Sequence, residues 1–232
     1  MKNKLSIIIP TYNEEKTIIS TIKEVLKDDY NIHEIIVVDG GSTDSTRSII
    51  QSIKNKKIKL IESDKSHRAY QLNLGGRSAS SEKLFFLFAD TIPPKNFTEE
   101  ILQVLNGNNE IAGCFRLKTE WNHWFLKFNT WFSRFDINIF RYGDQGLYLS
   151  KILFKEIGGY REDLMIMEDY DIVVRLKKKR DFIISQNSVI TSDRSYKKIG
   201  PYKIFILYYF IAISYIIGVP QDFLYRLYRK FN

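Results

Sequence analysis

The chain has 232 residues, 44% of them hydrophobic, and a formal net charge of +8. This length supports one good hydrophobic core, so we expect a single domain over residues 1–232. One cysteine excludes an internal disulfide, and three scattered histidines with that cysteine do not make a zinc site. The first apolar run ends at Pro10, too early for a signal peptide, so we expect a cytoplasmic protein.

The first half of the chain predicts an α/β fold with a parallel sheet. Runs of β-branched residues predict strands at 4–9, 34–39, 57–62 and 83–88. The patterns that follow them predict helices at 15–28, 44–54, 67–80 and 97–106. Ser42-Thr43-Asp44 is expected to cap the second helix. Strand and helix in alternation are typical of parallel sheets with crossover helices.

Small and polar residues follow the first two strands, at Pro10–Asn13 and Asp39–Thr43. Ligands of parallel sheets bind beyond the carboxyl ends of the strands, where both segments would lie. Their hydroxyls, backbone donors and single carboxylate suit a nucleoside diphosphate. The sequence has no Gly-x-Gly-x-x-Gly after the second strand and no Gly-Lys-Ser/Thr, which excludes a dinucleotide fingerprint and a P-loop.

The second half of the chain predicts shorter elements. In chain order they are a turn at Asn106–Asn109, a strand near 110–118, an aromatic stretch compatible with a helix at Trp121–Phe140, a strand near 145–150, a helix near 151–157, a turn at Gly158-Gly159, and a helix from Asp169 or Asp171 to about Lys179. Seven aromatic residues of the Trp121–Phe140 stretch share one helical face. Core packing is the favoured explanation, with a ligand pocket or a membrane contact as alternatives.

The C-terminal segment is basic and aromatic. Residues 194–232 contain seven Lys or Arg and one Asp, and thus carry +6 of the +8 net charge. They include an uncharged run at 204–219, which is shorter than the roughly 20 apolar residues that span a membrane. We expect a helix buried in the domain or lying in a membrane interface. An anionic membrane surface is preferred over nucleic acid, because the charges flank the apolar run.

Two segments resemble the opening of a family-2 glycosyltransferase: Leu5-Ser-Ile-Ile-Ile-Pro-Thr-Tyr-Asn-Glu-Glu15 and Glu34-Ile-Ile-Val-Val-Asp-Gly-Gly-Ser-Thr-Asp44. The resemblance covers essentially the whole chain. It implies the GT-A fold, a single α/β domain whose mostly parallel mixed sheet is flanked by helices, here followed by C-terminal amphipathic or apolar helices. It also implies inverting transfer of a sugar from a UDP-sugar or GDP-sugar to an acceptor hydroxyl. Residues 1–110 would bind the nucleotide sugar, residues 111–195 the acceptor, and residues 196–232 would form the C-terminal helices.

The resemblance also assigns residues to the donor and to a metal. The fourth predicted strand ends in Phe88-Ala89-Asp90, where the family usually has Asp-x-Asp, so Asp90 alone is implied as a ligand of Mg²⁺ or Mn²⁺. The segment Ser66–Gly76 resembles the family's helix under the nucleotide, in which Arg68 would pair with the diphosphate. The residues assigned to the donor are Pro10, Thr11, Tyr12, Glu14, Asp39, Gly40, Ser42, Arg68, Asn73 and Asp90.

The acceptor half carries the implied catalytic group. Met167-Glu168-Asp169 resembles the family's Glu-Asp, so Asp169 would take the proton of the acceptor hydroxyl while Glu168 orients it or the acceptor. From the residues alone, Asp169 could equally be a helix N-cap. Asp144, Gln145 and Trp121 are assigned to the acceptor. Met-Glu-Asp together with Gly-Asp-Gln resembles a small subgroup of the family that is associated with radical-enzyme and arsenosugar pathways.

Two other functions stay open. A synthase that loads polyprenyl phosphate would accept a lipid phosphate instead of a hydroxyl and would act at the membrane surface, with peripheral attachment to its inner face. A non-catalytic protein that binds nucleotide sugars or docks on membranes is the other alternative. Arg68, Asp90 and Asp169 together argue against this binding protein, whereas the missing carboxylate at position 88 argues for it.

Overall fold

The computed structural model describes residues 4–107, 110–141 and 143–231. These residues form an eight-stranded mixed sheet with helices on both faces. The strands are β1 (Leu5–Thr11), β2 (Ile32–Asp39), β3 (Ile58–Glu62), β4 (Lys83–Phe86), β5 (Thr91–Ile92), β6 (Ala112–Thr119), β7 (Leu147–Ser150) and β8 (Phe182–Thr191). The helices are α1 (Ile18–Leu26), α2 (Thr46–Ser52), α3 (Arg68–Ser78), α4 (Phe97–Gly107), α5 (Trp124–Trp131), α6 (Lys151–Glu156), α7 (Glu168–Lys177), α8 (Arg194–Ile199), α9 (Pro201–Ile216) and α10 (Gln221–Phe231).

The sheet is parallel in the first half and mixed in the second. Its strand order is β3-β2-β1-β4-β7-β6-β8-β5, and β1 to β4 run parallel to one another. Strand β7 is antiparallel to both β4 and β6, and the short β5 is antiparallel to β8. The predicted α/β fold with a mostly parallel mixed sheet is confirmed.

The alternation of side chains along β1 divides the core into two layers. Ile7 and Ile9 pack with α1 and α4 on one face of the sheet. Ile8 faces the other way and packs with α3, α6 and α7. Because both faces are covered, β1 is apolar at nearly every position, as expected for a buried parallel strand. Gly75 lets α3 approach this strand closely, since a Cβ there would lie 2.4 Å from Ile8 Cγ2.

Several local predictions differ from the structure. The predicted helix at Trp121–Phe140 is helical only over α5, and two short 3₁₀ turns follow at Phe132–Arg134 and Asn138–Phe140. Strands β5 and β8 were not predicted. Helix α2 begins at Thr46 with Ser45 as its N-cap, although Asp44 Oδ1 does accept the Thr46 N–H at 2.9 Å.

Two further predictions concern the end of α4 and the C-terminal helices. The first two residues of the predicted turn at 106–109 belong to α4, which continues to Gly107, and residues 108 and 109 lie outside the described residues. Helix α9 is buried on one side, as expected. Within the described part of the chain, none of the helices has the length and hydropathy needed to cross a bilayer.

Candidate active site

The carboxyl ends of β1 and β4 open into a cleft of about 420 Å³. The sequence-predicted residues that line it are Pro10, Thr11, Tyr12, Glu14, Arg68, Asp90 and Asp144. A chamber of about 160 Å³ adjoins the cleft, and Arg68, Phe88 and Asp144 line both spaces. Asp169 lines the chamber. The fold therefore brings most of the predicted residues to one place, at the edge of the sheet where ligands of α/β folds bind.

The loop after β2 uses its polar groups internally. Asp39 is 0% exposed, and its Oδ2 accepts the backbone N–H groups of Gly41 at 3.1 Å and Ser42 at 2.9 Å. Ser42 Oγ donates to Asp39 Oδ1 at 2.5 Å, and a Cβ on Gly40 would meet Gln71 Nε2 at 2.9 Å. These three residues shape the loop and do not line the cleft, so their assignment to the donor stays a prediction.

A guanidinium group lies between the two carboxylates at the mouth of the cleft. Arg194, the first residue of α8, donates to Glu14 Oε2 at 2.7 Å and to Asp90 Oδ2 at 3.2 Å. Thr17 Oγ1 also donates to Glu14, at 2.6 Å. Burial raises the pKa of Glu14. Arg194 is a site residue that the sequence analysis missed, because it was counted only as one charge of a basic tail.

Arg68 is held in place by a buried acid and an aromatic ring. Its Nε donates to Glu168 Oε1, and its guanidinium lies 4.9 Å from the centroid of Phe88. Glu168 is 1% exposed and lines neither the cleft nor the chamber. In the structure the Glu168 carboxylate positions Arg68, and a role in orienting Asp169 or the acceptor stays a prediction. Phe88, at the place of the family's first carboxylate, supports the same guanidinium.

Asp169 lies in the first turn of α7, half-buried against the chamber. Its Oδ2 accepts the Gly143 N–H at 2.5 Å, and its Oδ1 accepts the Tyr170 N–H at 2.8 Å. Burial and the neighbouring Glu168 carboxylate raise the pKa of Asp169. Gly143 permits this contact, because a Cβ there would lie 2.4 Å from Phe88 Cζ. A fixed carboxylate with a raised pKa has the properties of a general base.

Asp144 stands between the cleft and the chamber. Thr191 Oγ1 donates to its Oδ2 at 3.0 Å. Burial and the nearby Asp90 carboxylate raise the pKa of Asp144 to about 7. Gln145, the next residue along the chain, is buried and lines neither space, and its assignment to the acceptor stays a prediction.

Two other predicted residues lie away from both spaces. Asn73 Nδ2 donates to the Tyr160 carbonyl and to Glu162 Oε1, both at 2.8 Å, and its Oδ1 accepts the Tyr160 N–H at 2.8 Å. Trp121 packs in an apolar cluster with Leu126. Asn73 therefore ties α3 to the segment before α7, and Trp121 belongs to a satellite core. Neither lines the cleft or the chamber, so both assignments stay predictions.

The C-terminal helices supply a wall that the sequence analysis did not foresee. Their contribution to the two spaces includes Tyr196, Tyr208, Tyr225, Tyr228 and Arg229. The sequence did show that this segment is aromatic and basic. It gave no indication that one side of these helices faces the cleft, because that depends on how α8 to α10 return across the sheet.

The family of this chain follows from its match to a family model. Residues 6–165, more than half of the chain, match the model described as Glycosyl transferase family 2. The chain belongs to glycosyltransferase family 2. Asp169 and the tyrosines of the C-terminal helices lie after the matched residues, whereas Arg68, Asp90 and Asp144 lie within them.

Curated relatives of this family-2 chain are glycosyltransferases that it matches in part. One relative is the dolichyl N-acetyl-α-D-glucosaminyl phosphate 3-β-D-2,3-diacetamido-2,3-dideoxy-β-D-glucuronosyltransferase of Methanococcus voltae. The two proteins are 32% identical over 107 residues, and this match covers 44% of this chain and 33% of that protein. The chain is 34% identical over 106 residues to WfgD of Escherichia coli, named as a UDP-Glc:α-D-GlcNAc-diphosphoundecaprenol β-1,3-glucosyltransferase, which covers 45% of this chain and 42% of that protein. The chain thus spans less than half the length of these relatives.

Solved structures share the fold. S. aureus TarS 1–349 superposes with a TM-score of 0.67 and 19% identity, over 88% of this chain and 64% of that one. The mannosyltransferase PcManGT from Pyrobaculum calidifontis, in complex with GDP-Man and Mn²⁺, superposes with a TM-score of 0.69 and 16% identity, over 100% of this chain and 70% of that one. The predicted GT-A fold is confirmed.

The cleft of this family-2 domain fits a divalent cation only through a small set of oxygen ligands. Among residues 4–107, 110–141 and 143–231, no cluster of three or more His, Cys, Asp or Glu side chains is arranged to hold a metal. Asp90 lines the cleft with a hard carboxylate. One such ligand suits Mg²⁺ or Mn²⁺, because these ions retain waters and bind substrate phosphates. The residues present fit a cation that is shared with a bound diphosphate.

Proposed function

We propose that this chain is an inverting glycosyltransferase that moves a sugar from a UDP-sugar or GDP-sugar to an acceptor hydroxyl. The observation that carries the proposal is that Arg68 and Asp144 line both the cleft and the chamber, with Asp90 in the first and Asp169 in the second. A diphosphate bound in the cleft would leave the sugar facing the chamber. Solved structures that share this fold contain UDP-GlcNAc or GDP-Man, which supports the donor class.

The proposed donor site neutralises the diphosphate with cations from both ends of the chain. Arg68 on α3 and Arg194 on α8 both line the cleft, and Arg229 on α10 lies at its edge. Planar guanidinium groups bind phosphate oxygens with two parallel hydrogen bonds. A Mg²⁺ or Mn²⁺ ion at Asp90 would supply Lewis-acid stabilisation of the departing diphosphate. The donor half at 1–110 is therefore proposed to be completed by α8 and α10.

The proposed chemistry is a single displacement at the anomeric carbon. The acceptor oxygen attacks from the chamber side, its proton passes to a carboxylate oxygen of Asp169, and the bond to the diphosphate breaks with its electron pair on phosphate oxygen. Because attack and departure occur on opposite faces, the anomeric configuration inverts. The N–H of Gly143 holds Asp169 Oδ2 in place, and the raised pKa of Asp169 makes that carboxylate a better base.

Turnover of labelled UDP- and GDP-sugars, with and without acceptor, tests the proposal. Donor hydrolysis without acceptor is expected to be slow but measurable, and excess EDTA should abolish it while Mn²⁺ restores it. NMR of the product anomer reports inversion. A chain that binds nucleotide sugars without hydrolysing or transferring them is the non-catalytic alternative, and full activity in EDTA would remove the cation from the mechanism.

A lipid-linked acceptor is favoured by the chemistry of the chamber. Its wall includes the apolar side chains of Ile139, Phe205 and Ile211. The E. coli relative is named for an undecaprenol-diphosphate acceptor. That name describes transfer to a sugar hydroxyl of a lipid-linked acceptor, so such a hydroxyl is a candidate beside the polyprenyl phosphate of the synthase alternative. Extraction of the labelled product into organic solvent distinguishes a lipid product from a soluble one.

Two narrower assignments rest on the sequence. We propose membership of the subgroup associated with radical-enzyme and arsenosugar pathways, supported by Gly143-Asp-Gln145 and Met167-Glu-Asp169. We also propose a reducing, cytoplasmic setting, supported by the single buried Cys114. Purified enzyme offered small soluble acceptors and polyprenyl acceptors in parallel tests the first assignment, since preference for the lipid would count against it.

A further inference from the structure

The outer faces of α5 and α9 are apolar although both helices are at the surface. On α5 the exposed side chains recur every three or four residues: Trp124, Phe128, Trp131 and, just beyond the helix, Phe135. On α9 the same spacing exposes Tyr202, Ile206, Phe210, Ile213 and Ile217. The two stripes meet where the rings of Trp124 and Tyr202 lie 6.4 Å apart. A contiguous apolar surface of this kind marks an interaction site.

A basic pocket of about 260 Å³ lies beside this apolar surface. Its charged lining residues are Arg116, Lys118, Lys127 and Arg134. Within the described ranges no acidic residue lines the pocket, and none of its four basic residues forms an ion pair.

Two polar atoms of the basic pocket have no hydrogen-bond partner among the described residues. The pocket also shares one residue with the exposed stripe of α5. The buried Nε of Arg116 and Oγ1 of Thr119 have no hydrogen-bond partner among the described residues. Trp131 belongs both to the pocket and to the exposed stripe of α5. Guanidinium and ammonium groups without ion-pair partners, together with the Thr119 hydroxyl, suit the binding of a phosphate group.

We propose that α5, α9 and the basic pocket form a docking surface for an anionic lipid bilayer. The aromatic and aliphatic stripe would lie at the level of the headgroups, where Trp and Tyr side chains are favoured. The basic pocket would take the phosphate of an anionic headgroup. The net charge of the chain favours an anionic membrane over a second copy of the protein at this surface. A second copy would bring another +8, whereas an anionic membrane complements the positive charge.

This docking surface lies directly behind the acceptor chamber. Leu117 and Thr130 line both the basic pocket and the chamber. On α9, Ile211 lines the chamber from the side opposite to the exposed Ile213. A bilayer on the outer face would therefore be separated from the chamber by a single layer of helices. The inference goes beyond the proposed glycosyl transfer and does not depend on it.

Co-sedimentation with vesicles of phosphatidylcholine, alone or mixed with phosphatidylglycerol, tests the proposal without donor or acceptor. The wild-type chain should bind the anionic vesicles and release them at high salt. Phe128→Ser and Lys127→Glu should each weaken binding, the charge reversal by about tenfold or more, since one basic residue near such a surface is worth about fivefold. The matched controls on α6 are Ile152→Ser, at a side chain 61% exposed against 56% for Phe128, and Lys155→Glu.

The native tryptophans give a second readout that needs no variant. All three tryptophans lie at 121–131, so their fluorescence should shift to shorter wavelength when anionic vesicles are added. Absence of vesicle binding, or equal loss in the α6 controls, would overturn the proposal. So would a dimer that Phe128→Ser dissociates. Binding of inorganic phosphate by a chain that does not bind the vesicles would overturn it as well. Donor affinity measured on the same samples shows separately whether the glycosyltransferase site is intact.

Discussion

Asp169 combines two hydrogen bonds from backbone N–H groups with a raised pKa. The bond from Tyr170 gives it part of the helix-capping role that the sequence also allowed. The bond from Gly143 belongs to the chamber, since Gly143 lies on another segment and lines that space. The carboxylate therefore serves the N-terminus of α7 and faces the chamber at the same time.

Asp169→Asn should separate these two roles. Asn keeps the shape and one acceptor oxygen but cannot take a proton, so we expect kcat to fall at least about a hundredfold. Donor affinity should stay within about threefold of wild type, a change below about 1 kcal/mol. Steady-state kinetics on a hydroxyl acceptor and calorimetry with the nucleotide measure the two quantities.

The control for this substitution is Asp163→Asn, an exposed acid paired with Arg161 outside the cleft. Its kinetics should be unchanged. A normal kcat in Asp169→Asn would transfer the role of base to Asp144, the other carboxylate of the chamber. A smaller loss with a phosphate acceptor than with a hydroxyl acceptor would favour the polyprenyl-phosphate alternative, because a phosphate is already ionised near neutral pH.

Arg194→Gln should weaken the donor site. In the structure Arg194 bridges Glu14 and Asp90, a half-exposed arrangement worth about 0–1 kcal/mol to stability. If the guanidinium turns to the diphosphate when the donor binds, its loss should lower kcat/KM by about 10- to 100-fold, as for a charge-assisted hydrogen bond. Kinetics with varied donor measure the effect. Lys203→Gln on α9 is the control, and equal losses in both variants would contradict the assignment.

At the scale of elements, the approach of α3 to β1 fixes the position of Arg68 over the cleft. Gly75→Ala would place a Cβ 2.4 Å from Ile8 Cγ2, so the helix or strand must shift. Overpacking of this kind should lower the free energy of unfolding by about 1–3 kcal/mol. Urea denaturation measures it. Gly107→Ala in α4 is the matched control, since nothing lies within 4 Å of its Cβ, and a larger loss there would contradict the packing argument.

The elements that could be predicted from sequence are those whose pattern is local. β1, β2 and their loops are read from β-branched runs that stop at Pro10 and at Gly40. Strand β8 could not be read, because Ser185–Ser188 interrupts its apolar residues and its pairing with β6 includes an irregularity between Cys114 and Arg116. The spacing of three or four residues between aromatic side chains on α5 continues beyond the end of the helix to Phe135. The spacing alone therefore did not show where the helix ends.

The residues of the candidate site also divide into those whose place follows from the local sequence and those that only the fold brings together. Asp90 and Asp169 end or begin regular elements, so their place at the sheet edge follows from topology. Asp39 shows the limit, because a carboxylate at a strand end can bond its own loop as well as a ligand, and composition does not distinguish the two. Arg194 meets Glu14 across 180 residues of sequence, a contact that only the closed fold creates.

At the scale of the whole molecule, the cleft concentrates negative charge that folding must accommodate. Asp144 lies near Asp90 and Asp169, and its pKa is raised to about 7 by burial and by the Asp90 carboxylate. Its usual pKa is 3.8, so the folded protein holds a proton on Asp144 that the unfolded chain has lost. A divalent cation at Asp90 would offset the same repulsion.

The free energy of unfolding should therefore fall as the pH rises from about 4 to about 7, through the contribution of Asp144. The sign follows because the folded state binds more protons than the unfolded state in this interval, so raising the pH favours unfolding. Asp144→Asn should remove about 1–2 kcal/mol of this fall, less than the full shift implies because the site is partly hydrated. Urea denaturation in EDTA at a series of pH values gives the difference between wild type and variant.

Two comparisons make this pH test specific. Asp163→Asn should change the curve in the opposite sense, because Arg161 lowers the pKa of Asp163, whose stabilisation is present above its usual pKa and lost as the pH falls. Mn²⁺ should flatten the wild-type curve and leave that of Asp144→Asn nearly unchanged, since a cation beside Asp90 screens the charge that raises the pKa of Asp144. Parallel curves for wild type and Asp144→Asn in EDTA would show that Asp144 is ionised without cost.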